Sequence, residues 1–254
     1  MTPAQQAGPV RQAGPEHETG SAHETGPGRP ARPASVGAVV ERMRTLRDEL
    51  PPGDGVGTFN RVYLSVTEEM LRRLGNGYFA APVVAARLDV HFAGRYLAAV
   101  DAVARGRRPP SCWRPLFQAR HHPGLRPLQF ALAGINAHIG HDLALAVVGT
   151  CRDLGIEPED MEDDYQRVGE VLTALEERVR EELMPGPDLL DIADPLTHLV
   201  GAWSLERARE AAWAAGRALW RLRGLPDVHD EFAHRLDQSV GLVGRFLLTP
   251  LCGR

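Results

Sequence analysis

The sequence contains no lysine: all 29 of its basic residues are arginine. Such a chain forms no Schiff base through its own side chains, anchors no pyridoxal and builds no P-loop, so those mechanisms are excluded. Cysteine is scarce. Cys112, Cys151 and Cys252 are odd in number and none forms a CxxC pair. That spacing argues against a disulfide framework and a zinc-thiolate site, and fits a reducing cytoplasm. An excess of positive charge is missing too. The formal net charge of -4 gives no electrostatic case for nucleic acid or for an anionic membrane surface. The opening stretch MTPAQQAGPVRQAG has no apolar core of the kind a signal peptide needs. The most apolar run, residues 132–148, is interrupted by His and Asp, which argues against a membrane span. GxSxG, HExxH, DDxxD, an EF-hand loop and GxGxxG after a strand are all absent, and nothing suggests a nicotinamide or flavin. Alternating β-branched runs are too few to predict a strand.

What is present is enough for a core: 254 residues, 43% of them hydrophobic and 24% charged. Abundant Arg, Ala, Gly and Pro point to a high-GC, actinobacterial genome. Residues 1–34 are rich in Pro, Gly, Glu and Ala, with HETG at 17–20 and again at 23–26. This composition predicts a disordered tail, its His-Glu pairs solvated or holding metal only loosely. From Ser35, a good N-cap, to residue 254, the pattern predicts one all-α domain, a compact bundle of about seven helices. Apolar periodicity and Pro/Gly breaks place these helices at about 36–50, 60–74, 82–105, 128–154, 164–184, 197–223 and 228–248. The segment SCWRPLFQARHHPGLRP, with its many prolines, is expected to be a long irregular connection.

The chemistry-bearing residues concentrate in LAGINAHIGHDLALAV, residues 132–147. On an α-helix turning about 100° per residue, Asp142 lies about 40° from His138 and His141 about 60° to the other side, while Asn136 faces across. Ala and Gly along the same helix allow close approach of neighbours, which makes it central. Polar groups on a buried helix cost several kcal/mol each, as an order of magnitude, unless they are paired, metal-bound or facing a wet pocket. The His-x-x-x-Asp spacing suits two uses. His138 and Asp142 could ligate one divalent metal, or Asp142 could hold His138 in one tautomer for acid–base work. A self-satisfied buried network is the structural alternative. Asp89 and Tyr96 share a face of the 82–105 helix and could complete the site, whereas His91 points elsewhere as a surface or pairing residue. Tyr63 could donate a hydrogen bond. Trp203 and Arg207, one turn apart, could stack or bind an anion. His121 and His122 precede the central helix.

Together FNRVYLSVTEEM, RLDVHFAGRYLAAVDA, WRPLFQAR, PLQFALAGINAHIGHDLALAVV and WSLERAREAAW resemble an uncharacterised actinobacterial family, a domain of unknown function marked by an Asn-Ala-His-Ile-x-x-Asp-Leu core. The resemblance spans about residues 36–250 and implies a helical fold and no stated activity. It carries over Asn136, His138 and Asp142. His141 falls on an unspecified position of the pattern.

The expected function is therefore a cytoplasmic small-molecule enzyme of specialised metabolism, a cyclase, lyase or hydrolase and not a redox enzyme. His138, Asp142, Asp89, Asn136 and Tyr96 are its catalytic candidates, and His141, Tyr63, Trp203 and Arg207 its substrate-binding ones. No cofactor is implied outright, although a divalent metal fits. No nucleic-acid or membrane partner is expected, and the sequence leaves the oligomeric state open. A non-catalytic small-molecule-binding or accessory protein is the alternative.

Overall fold

The computed structural model describes residues 35–183 and 204–250, and among these described residues it forms eight α-helices and no strand. They belong to one compact unit, Arg32–Arg254. The expected tail at 1–34 and Trp203 lie outside the described residues. The helices are α1 (Val36–Glu49), α2 (Gly55–Leu74), α3 (Pro82–Ala104), α4 (Arg114–Ala119), α5 (Pro127–Leu154), α6 (Glu162–Leu183), α7 (Leu205–Arg221) and α8 (Pro226–Leu247). The stretch expected to be an irregular connection contains α4, whose first turn accommodates Pro115 because proline fits where the amide would have no helical partner.

Side chains at the helix starts fix the boundaries. Ser35 caps α1, Ser204 caps α7, and Asp54 caps α2 by accepting from the Val56 and Gly57 amides. The second oxygen of Asp54 takes the Arg120 guanidinium at 2.6 Å, tying α2 to the end of α4. Asp164 on α6 caps its neighbour instead, accepting from the Ala80 and Ala81 amides at the start of α3. α6 and α7 clasp reciprocally. Tyr165 donates to the Arg209 carbonyl and Arg209 to the Tyr165 carbonyl, at 2.7 and 2.6 Å.

α5 runs through the middle. Its first half packs against α2 and α8, and its second half against α3 and α7. Small residues make this possible. A Cβ on Gly134 would lie 2.3 Å from the Phe59 ring, and one on Gly216 of α7 would lie 3.1 Å from the Ala144 carbonyl. By length and apolarity α5 could cross a membrane, but 83% of its most apolar window is buried inside the fold. Its apolarity is spent on neighbouring helices.

α5 is not uniform. Its α-helical segments Pro127–Ala137 and Leu143–Leu154 flank one π turn, His138–Asp142, in which the Leu143 amide donates to the His138 carbonyl five residues back. The polar residues sit in this wider turn, against α3, α7 and α8.

Candidate active site

Asp142 is the hub. It is 1% exposed, yet its carboxylate meets three N–H groups. Oδ2 accepts from Trp113 Nε1 at 2.8 Å and from His138 Nδ1 at 3.2 Å, and Oδ1 accepts from His141 Nδ1 at 2.9 Å. A carboxylate only accepts and an indole N–H only donates. Both histidines must therefore carry a proton on Nδ1, and in a neutral imidazole so held the lone pair sits on Nε2. Burial alone would push the Asp142 carboxyl up; the His138 and His141 hydrogen bonds outweigh it and hold the acid well below its ordinary range. Asp142 is thus a buried anion whose desolvation is offset by convergent donors.

His138 is enclosed by aromatic rings. Phe92 stacks on it at 3.5 Å between centroids and 6° between planes, and Tyr63 meets it edge-on at 4.3 Å. Phe59 and Trp113 follow at 5.8 and 5.9 Å. Burial lowers the basicity of the imidazole, and Asp142, pulling the other way, does not restore it. The ring is neutral at pH 7, and its Nε2 is buried with no hydrogen-bond partner.

Two more buried polar atoms lack partners: Tyr63 Oη on α2, whose ring meets His138, and Asp89 Oδ2 on α3, whose charge acts on Tyr63. The Thr67 hydroxyl lies close enough to act on the phenol but donates to the Tyr63 carbonyl, and no well-formed bond to Oη results. Burial raises the Tyr63 phenol, and the nearby Asp89 charge raises it further. Burial pushes the Asp89 carboxyl up to about 7, which leaves it half protonated near neutrality.

Other expected site residues are already engaged. Asn136 Nδ2 donates to the Val240 carbonyl at 3.0 Å and ties α5 to α8. Tyr96 Oη donates to Asn60 Oδ1, whose amide donates in turn to the Met43 carbonyl, joining α3, α2 and α1. These bonds engage one of the two N–H groups of Asn136 Nδ2 and the only O–H of Tyr96 in ties between helices. Arg207 is exposed on α7, and only its backbone amide is engaged, by Ser204. The buried arginine of that helix is Arg209. The facing atoms of His138 and Asp142, the pair expected to suit a metal, hydrogen-bond each other directly at 3.2 Å. His91 pairs with Asp153 at 2.8 Å beside a surface cavity of about 210 Å³. His121 approaches Asp54 Oδ2 at 3.6 Å, and His122 accepts from the Gly124 amide.

Sequence reasoning missed Trp113 and Asn60. An indole in a connecting segment needs an acceptor when buried, but nothing local names Asp142, 29 positions on, as that acceptor. A family model described as a family of unknown function, DUF5995, matches residues 36–250. The chain belongs to this family. The match takes in all eight helices and every residue of the Asp142 cluster. No curated protein and no solved structure matches the chain.

Proposed function

We propose that this member of DUF5995 is a small-molecule enzyme whose chemistry is proton transfer at His138 Nε2. The observation that carries this reading is the buried, unpartnered Nε2 of an imidazole whose other nitrogen is held by a buried carboxylate. Leaving such an atom bare in a core costs free energy, which a purely structural network would avoid. In this reading Asp142 fixes the tautomer and stabilises the imidazolium that forms when His138 takes a proton. Asp89, with its carboxyl near 7, returns one. Phe59, Phe92 and Trp113 suit a largely apolar substrate and exclude water, so elimination or cyclisation fits better than hydrolysis.

The enclosure of His138, 3% exposed, favours one second reading: the same atoms grip a ligand without turning it over. One experiment separates the two. The wild-type protein and His138→Gln are incubated with a library of bacterial small molecules, and mass spectrometry follows each compound. The enzyme reading expects compounds consumed by the wild type and untouched by a folded His138→Gln. Equal consumption by both proteins would sink it, and retention of a compound by the wild type without consumption favours the binding protein.

A further inference from the structure

The second face of the Asp142 hub leads to a different cluster. Cys112 precedes α4, His141 lies in the π turn and Asp237 lies on α8; one ligand atom from each falls within 4.8 Å of the other two. Ligand atoms around a tetrahedral ion with bonds of about 2.0 to 2.3 Å stand somewhat closer, so a small inward movement would close the set. The backbone holds this arrangement. Asp237 accepts from the Ser111 and Cys112 amides at 2.9 and 2.8 Å. One turn along α8, a Cβ on Gly241 would stand 2.4 Å from the Ser111 carbonyl, so the glycine lets the helix press onto the Cys112 turn. His141 is oriented by Asp142 through Nδ1, which leaves Nε2 for an ion. A carboxylate behind a ligating histidine is the usual way to aim such a ring and raise its basicity.

We propose that Cys112 Sγ, His141 Nε2 and the Asp237 carboxylate bind a divalent transition-metal ion of the zinc class, with Asp142 as the group that orients His141. The thiol loses its proton to solvent on binding and ligates as thiolate, so two anionic ligands balance the charge of the ion. Both Asp237 oxygens keep a lone pair beyond the amide bonds they accept. Three protein ligands leave a fourth position for water or a ligand. Cys112 and His141 are buried and Asp237 is only half-buried, which opens one side to solvent. The site does not rest on the proton-transfer reading of His138, although Asp142 links the two.

The test uses the full-length, untagged, metal-free protein and one equivalent of cobalt(II). A sulfur-to-cobalt charge-transfer band should appear, and it reports a thiolate ligand whatever ions the other histidines attract. Cys112→Ser should abolish it, while Cys151→Ser, which alters the other buried cysteine among the described residues, should keep it. Asp142→Asn should weaken binding by about 10- to 100-fold. If Cys112→Ser does not fold, Asp237→Asn serves instead, and the band should then need a clear excess of cobalt. A folded wild type that shows no band overturns the proposal, as does a band that survives intact in Cys112→Ser or, where that variant does not fold, in Asp237→Asn at one equivalent.

Discussion

Asp142 accepts from an indole and two imidazoles at once, and this sets what substitution does to it. Asparagine there turns an amide NH₂ toward N–H donors and leaves at least one of them unsatisfied in the core. Removing one partner of a buried charged network costs about 3–5 kcal/mol, so Asp142→Asn should lower denaturation stability by that order. A loss below about 1 kcal/mol, typical of an ordinary exposed hydrogen bond, would contradict the hub. Asp89 behaves oppositely. Its folded pKa, about 7, lies above the unfolded value, so its contribution is complete at acid pH and is lost as pH rises through about 7. The neutral His138 favours folding above about pH 6.5 and opposes it below. Asp89→Asn removes only the first effect. Its melting temperature relative to the wild type should rise between about pH 5 and pH 8, with linkage allowing up to about 2.5 kcal/mol over that window. A pH-independent difference would show that Asp89 is not held protonated. The sequence made the His138–Asp142 relation legible because four-residue spacing survives most helical geometries. It could not make Trp113 legible, because that partner arrives from another element.

At the scale of elements, the helices announce themselves through apolar periodicity and their Pro, Gly and Ser boundaries. The π turn does not: five residues carry no period of their own, and α-helical angles place His141 only approximately. α4 lies among prolines that read as breaks, and its first turn accommodates one of them, Pro115. The Ala/Gly content of α5 did foretell close packing, and Gly134 tests it. Replacing an interior helical glycine by alanine ordinarily stabilises by about 1 kcal/mol. Here the added methyl would stand 2.3 Å from the Phe59 ring, and overpacking of a well-filled core costs about 1–3 kcal/mol. The clash should win, so Gly134→Ala should melt lower than the wild type; an unchanged or higher melting temperature would mean that Phe59 repacks freely.

For the whole molecule, α5 is the element that α2, α3, α7 and α8 all touch. Its central amides should exchange with solvent only through global unfolding, with a free energy equal to that from denaturant titration. Exchange there faster than in α8, which carries exposed Val228, Phe232 and Phe246, would contradict a central role. The all-α class was legible from composition and pattern. The meeting of Tyr63 and Trp113 at His138, with Asp89 acting on Tyr63, was not, since it depends on how three helices and the turn before α4 are stacked. Nor was the cluster of Cys112, His141 and Asp237, because cysteine spacing speaks only to ligands that are close in the chain.

Proton transfer at this cluster turns on the state of one ring, His138. Long-range nitrogen–proton NMR of the metal-free, histidine-labelled protein reads it directly. His138 should appear as the neutral tautomer protonated on Nδ1, with Nε2 bare, and should stay neutral below the ordinary histidine range of about 6.5. A proton on Nε2 at neutral pH, or a His138 that titrates at or above that range, would contradict it.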